Sequence, residues 1–265
     1  MLEQGAVVFL PNLAFAVESA ERGIFSPDIL STSKNASYDP ATDRIGGTSL
    51  TGESLDQLRA VLRRFSTAAA SLVDHLLPEY RKQIIRKRAS FRPAEILGRQ
   101  TSWRKDDTRL HLDAFPTSPT HGDRILRVFS NVNPDGRART WRVGEDAAQI
   151  AERFAGSLSL PWPGSGALLA ALRITKTPRT PYDALMLQLH DRMKQDITYQ
   201  SASAQELVEL PAGSTWMTFT DQVAHAAMAG QYQFEQTFLV PVSAMIDGSR
   251  SPLKILERIK GRRLA

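Results

Sequence analysis

Between residues 53 and 77 the apolar positions Leu55, Leu58, Leu62, Phe65, Ala69, Leu72 and Leu76 recur at alternating spacings of three and four, and Pro78 follows. That period puts them on one stripe of a helix, and proline marks its end. A long helix with a single apolar stripe packs against something flat, such as the outside of a sheet. The stretch before it, "STSKNASYDPATDRIGGTSLTGES", is crowded with turn residues and reads as loop. Further on, the pattern shortens. "RILRVFSNV" (124–132), "STWMTFT" (214–220) and "QFEQTFLVPV" (233–242) alternate or run apolar as strands do. The apolar start "AVVFLPNLAFAV", broken by Pro11 and Asn12, reads as a first strand or strand pair. Two pieces keep a helical period: "EDAAQIAERF" (145–154), and residues 182–196, where Tyr182, Leu185, Met186, Leu189 and Met193 share a face. No repeat or low-complexity linker divides residues 1–265, so one domain is expected, mostly β, with flanking helices.

Composition changes this picture little. The chain has 265 residues with 42% apolar and 23% charged, the proportions of a globular protein with a proper core. It has no cysteine, which excludes disulfides, thiolate zinc sites and cysteine nucleophiles. No apolar run approaches the roughly 20 residues of a membrane-spanning helix. The net charge of +5 is concentrated rather than spread. Ten Lys or Arg stand against three acids between Tyr80 and Arg109, and six against one between Arg250 and Ala265. Such patches favour anionic partners. In the tail, Leu253, Leu256 and Ile259 recur beside Lys254, Arg258 and Lys260, and Pro252 can open a helix. A basic amphipathic helix of this kind suits an anionic membrane surface, or packs its apolar stripe on the protein.

Candidate chemistry lies in a doubled pattern. His-x-Asp occurs at His111-Leu112-Asp113 and again at His121-Gly122-Asp123. Two residues apart on a strand, a His and an Asp face the same way and can offer two metal ligands. The second copy sits in "PTSPTHGDR", where Gly122 favours a turn; the first has a strand-compatible setting. A third ligand must come from elsewhere. His75 lies beside the helix stripe and His190 at the edge of a packed helix face, so both read as structural. His225, among small residues in "TDQVAHAAMAGQ", leaves room for a metal. His111, Asp113 and His225 form two imidazoles and a carboxylate, the facial triad of non-haem iron oxygenases.

The runs "TSWRKDDTRLHLDAFPTSPTHGDRILRVFSNVNPDGRARTWRVGE", "YDALMLQLHDRMKQD" and "TDQVAHAAMAGQYQFEQTFLVPV" closely resemble the Kdo hydroxylase family. The resemblance covers most of the chain. It implies a double-stranded β-helix (a jelly-roll, cupin-like core) and an Fe(II)- and 2-oxoglutarate-dependent dioxygenase. The implied reaction uses O2 to hydroxylate carbon 3 of Kdo, the sugar acid of the lipopolysaccharide inner core, with ascorbate keeping the iron reduced. It favours the first His-x-Asp, with His111, Asp113 and His225 as ligands. The arginine that many relatives place about ten residues after the final histidine is missing, since that stretch reads "GQYQFEQTF" with Gln236. Arg127 on the 124–132 strand, with Asn131 at the same parity, is expected to take its place on the cosubstrate carboxylate. Arg104 and Lys105, just before the triad, are expected to meet the sugar acid, and Trp103 to stack on the sugar. The implied acceptor is Kdo-lipid A, which suggests a cytoplasmic enzyme peripheral on the inner membrane. Spacing alone also allows a related dioxygenase for another anionic substrate. A basic β-barrel for nucleic acid is the alternative of another class, but no regular aromatic platform interleaves the cations and no nucleic-acid partner is expected.

Overall fold

A computed structural model describes residues 1–265 throughout. Ten strands form two antiparallel sheets. The larger has the order β1-β8-β5-β10-β4-β2-β3. Its strands are β1 (Val8–Leu10), β2 (Ala36–Asp39), β3 (Arg44–Gly46), β4 (Ile85–Arg92), β5 (Arg124–Asn131), β8 (Thr215–Phe219) and β10 (Gln233–Val240). The smaller, ordered β7-β6-β9, comprises β6 (Arg139–Asp146), β7 (Gln205–Leu210) and β9 (Val223–Ala229). Phe129 of β5 meets Trp141 of β6 edge-on at 5.0 Å, and Trp216 of β8 stacks on Phe129 at 5.3 Å. These aromatics close the sandwich between the two sheets. Mainly β with flanking helices, it is the jelly-roll expected.

Period-2 alternation decides which face each strand residue takes. On β5, Leu126 and Val128 join the core beneath α1 (Gly52–Leu76), whereas Arg127 and Phe129 turn to the inner face. The helix buries Leu58, Val61, Leu62, Phe65, Ala69 and Val73 against the outer face of the large sheet, including Phe91 and Phe234. The stripe read from the sequence therefore does pack on a sheet.

A second core lies at the other end. There α2 (Ala147–Phe154), α4 (Pro181–Gln195), α5 (Ile197–Ala202) and α6 (Pro252–Lys260) pack together. The tail is the helix that its periodicity predicts, capped by Ser251 with Pro252 in its first turn. Its stripe, however, is not free for a membrane. Leu253, Ile255 and Leu256 are buried in this second core, and Leu264 beyond them is buried as well. Of the two readings of the tail, packing prevails.

Other differences are strands that the sequence reading passed over. The 31–54 stretch expected as loop holds the β2–β3 hairpin, whose polar, short strands carry too little apolar alternation to stand out. β4 is hidden in the basic region, β9 by its run of small residues, and β6 and β7 by their charge.

Candidate metal and carboxylate site

His111 and His225 meet as an isolated antiparallel bridge. Each backbone N–H donates to the other residue's carbonyl, at 3.1 Å and 3.0 Å. The bridge sets the two imidazoles 4.7 Å apart, centre to centre. Two residues on, the Asp113 N–H donates to the Thr220 carbonyl at 2.8 Å, fixing its side chain on the same side. One ligand atom from each of His111, Asp113 and His225 lies within 4.8 Å of the others. The first His-x-Asp is thus joined to the very histidine expected. The second is not: His121 has a left-handed φ of 55°, and its Nε2 lies 2.9 Å from the Pro178 carbonyl.

The ring orientations follow from what the other nitrogens do. Nδ1 of His111 donates to the Arg109 carbonyl at 2.8 Å, and Nδ1 of His225 to the Val223 carbonyl at 3.1 Å. A carbonyl can only accept, so each Nδ1 carries the proton and each Nε2 keeps a lone pair. Burial lowers the basicity of both rings, helped at His111 by His225 and Lys194. Both are therefore held neutral, as metal ligation requires. Burial opposes ionisation of Asp113, but the Arg127 guanidinium overcomes it and holds the carboxyl well below the usual range. Its Oδ2 is buried without a hydrogen-bond donor, 3.1 Å from Arg127 Nη2. Two neutral imidazoles and an orphaned carboxylate oxygen fit a divalent cation.

The triad opens into a cavity of about 180 Å³ between the two sheets. Along β6, Trp141 stacks on His225 at 5.4 Å, and Arg139 follows two residues away on the same face. Arg92, Arg127, Gln233 and Glu235 line the opposing wall. Glu235 receives Arg92 Nε at 2.8 Å and Arg127 Nη1 at 3.1 Å. Two of the three arginines are thereby matched to carboxylates. Arg139 is buried with no ion pair at contact distance; only Nη1 is spoken for, by the Gly230 carbonyl. Burial and the nearby Arg92 push its guanidinium down to about 9, the mark of a cation whose counter-ion is missing. Arg139 Nε, Arg127 Nε and Trp141 Nε1 are all buried donors without acceptors. Three orphaned donors in one cationic cavity fit a carboxylate ligand.

The remaining expected residues are placed differently. Arg127 lines the cavity, but Asp113 and Glu235 already engage its guanidinium. Asn131 turns away and donates to the carbonyls of Arg137 and Leu210. Gln236 spends its amide on the Lys87 and Thr237 carbonyls beside the bulge between β10 and β4. Strand parity and proximity in sequence suggested both, yet neither lines the cavity. Trp103, Arg104 and Lys105 form a turn at the rim, near cavity-lining Asp107. There Arg104 lies over the Trp103 ring at 4.1 Å and pairs with Asp191 at 2.9 Å. Sequence reasoning missed Arg139 and Trp141, although their alternation in "RARTWRV" was a usable sign. It also set aside His190, whose ring stands 5.4 Å from that of His111.

A two-histidine, one-carboxylate triad with an adjoining open cavity, set in a double-stranded β-helix, defines a non-haem iron oxygenase centre. The family model for 3-deoxy-D-manno-oct-2-ulosonic acid (Kdo) hydroxylase matches residues 1–263, and the chain belongs to that family. Three solved structures of the Kdo hydroxylase KdoO, a non-haem Fe(II) α-ketoglutarate-dependent dioxygenase, are similar along the whole chain. The complex with α-ketoglutarate (2-oxoglutarate) and Fe(III) is 45% identical, with TM-score 0.96, covering 100% of this chain and 89% of that one. The cobalt(II) complex is 46% identical, with TM-score 0.97 and coverage of 99% and 89%. The succinate and Fe(III) complex is 46% identical, with TM-score 0.96 and coverage of 99% and 88%. No curated protein matches the sequence.

Proposed function

We propose that this chain is an Fe(II)- and 2-oxoglutarate-dependent dioxygenase that hydroxylates carbon 3 of Kdo carried on lipid A. The observation that carries the reading is the joining of the metal triad to orphaned cationic donors in one cavity. Bound iron, with 2-oxoglutarate and O2, supplies the oxidising chemistry, and ascorbate keeps the metal reduced. His111, Asp113 and His225 hold the iron. Arg127 keeps Asp113 ionised and aimed. Arg139, with Trp141 Nε1 beside it, receives the free carboxylate of the cosubstrate, the role that the sequence suggested for Arg127. Glu235 holds Arg92 and Arg127 in place, which leaves Arg139 the one arginine of the cavity without a carboxylate partner. Phe115 and Phe129 shield the cavity, so the target carbon is presented away from bulk water.

Arg104 and Lys105 at the rim are placed to meet the sugar acid, with Trp103 stacked below Arg104 rather than free for the sugar. No helix is long and apolar enough to cross a membrane, and we place the enzyme on the cytoplasmic face of the inner membrane, where a peripheral protein meets its glycolipid. Purified protein supplied with iron, 2-oxoglutarate and ascorbate should release succinate with Kdo-lipid A and add one oxygen to the sugar. Lipid A without Kdo should support neither. Equal turnover with both lipids, or none with either, sinks the assignment.

A further inference from the structure

The chain between α2 and α4 leaves several large apolar side chains in solvent. Of the fourteen large apolar residues that are strongly exposed, five fall within residues 160–174: Leu160, Trp162, Leu168, Leu172 and Ile174. Trp162 is 87% exposed. Scattered singly, such residues mean little; gathered on one segment they mark a contact surface.

Local structure explains the gathering. A turn at Gly164 (φ 80°) is closed by the Ser165 N–H on the Trp162 carbonyl at 3.1 Å, and it leads into α3 (Ser165–Ala171), none of whose residues is buried. Gly166 sits against the backbone of Arg179; a β-carbon there would come 2.0 Å from the Arg179 carbonyl oxygen. The helix is seated on its glycine. Leu168 and Leu172, two and six residues on, therefore point to the opposite, outward side.

Charge identifies the partner. From Phe154 to Tyr182 there is no acidic residue, while Arg173, Lys176 and Arg179 follow the apolar cluster. Two copies docked through this face would bring like charges together. An anionic lipid surface would instead accept the cations, the leucines and an interfacial tryptophan together. The segment is also tied to the site. The Lys176 N–H donates to the Thr117 carbonyl at 2.9 Å, and Arg179 donates to the Pro116 carbonyl at 2.6 Å. Pro116 and Thr117 directly follow Phe115, which with Asp113 lines the cavity.

We infer that residues 160–179 form a membrane-docking segment that inserts Trp162, Leu168 and Leu172 into an anionic leaflet and sets the cavity beside it. The inference rests on the proposed glycolipid substrate only for its purpose, because docking needs neither iron nor sugar.

The test is co-sedimentation of the intact protein with vesicles of phosphatidylethanolamine and phosphatidylglycerol, without iron, 2-oxoglutarate or Kdo. The triple variant Trp162→Ser/Leu168→Gln/Leu172→Gln should lose at least about ten-fold in vesicle affinity. Its melting curve should match the parent's, since all three side chains are exposed. Arg173→Gln/Lys176→Gln should weaken binding at low salt and leave little effect at high salt. Turnover of a water-soluble Kdo saccharide should be unchanged in the triple variant, whereas turnover of Kdo-lipid A in vesicles should fall. Parent protein that ignores the vesicles overturns the inference, as does a triple variant that binds like the parent. Light scattering that shows a dimer broken by the same substitutions, without vesicle binding, reassigns the face to self-association. A parent protein that binds vesicles but turns over neither Kdo substrate would tell against the catalytic reading alone, with the docking surface upheld by the loss of binding in the triple variant.

Discussion

The guanidinium of Arg127 stands 3.1 Å from the orphaned oxygen of Asp113, and its other terminal nitrogen reaches Glu235 at the same distance. It therefore holds the carboxylate that we propose binds the metal. Replacing such supports costs on the order of 10–100-fold in metal affinity or activity. Arg127→Met should weaken iron binding by that much in an anaerobic Fe(II) titration. An unchanged titration with a raised Michaelis constant for 2-oxoglutarate would return Arg127 to the carboxylate role.

Arg139 carries the complementary prediction. Arg139→Met should raise the apparent Michaelis constant for 2-oxoglutarate by about 30-fold or more, the loss of roughly 2 kcal/mol expected when a buried charge pair loses one partner. Its iron affinity should stay near that of the parent. Arg139→Lys should recover only part of the loss, because a point charge replaces a planar fork. Normal saturation in Arg139→Met would remove this residue from the cosubstrate site.

The two His-x-Asp copies should separate cleanly. His111→Ala, Asp113→Ala and His225→Ala should each abolish hydroxylation and strip most of the iron, as measured by metal content after dialysis. His121→Ala should keep both, because its side chain serves only the turn near Pro178. An inactive, folded, iron-free His121 variant would shift the centre.

The tail predicts a stability effect in place of a membrane effect. Leu256 is fully buried between the helices of the second core, so Leu256→Ala should cost about 2–5 kcal/mol in urea unfolding. Vesicle binding by the folded fraction should persist. A loss of binding without any loss of stability would restore the tail as a membrane anchor.

Asp183 offers a further check. Its Oδ1 accepts the Thr120 N–H at 2.8 Å and the His121 N–H at 3.2 Å, and Oδ2 accepts the Thr180 N–H at 3.0 Å. Asp183→Ala orphans these donors and should destabilise the fold by about 2–4 kcal/mol. A melting temperature equal to the parent's would show that water replaces the carboxylate without penalty.

The grouping of His111, Asp113 and His225 was legible because its signals are local or compositional. His111 and Asp113 are two residues apart, and His225 stands out among small neighbours. The long helix was legible because seven apolar residues keep one period. The proposed carboxylate subsite was not, because it depends on which arginine lacks a partner. Arg127 and Arg139 look alike along the chain; only the packing of Glu235 against β4 and β5 separates them. The tail shows the same limit. A basic amphipathic helix has one pattern whether its stripe meets lipid or protein, and buried Leu253 and Leu256 decide the matter in three dimensions. The short strands β2 and β3 escaped because a polar edge hairpin lacks the alternation that burial imposes.

The single rung between His111 and His225 also governs when the centre can exist. The two histidines lie 114 positions apart in the sequence, and the rung closes that entire loop. Closing so long a loop is entropically costly, so the rung must lean on strands already paired around it. A growing polypeptide therefore holds only the His111–Asp113 half of the centre until its final strands are made and folded. Iron held by this triad would be acquired last, after biosynthesis of nearly the whole chain. Held by all three residues, an ion there would clasp the longest closure in the centre, resisting the parting of early and late segments more than any local fraying.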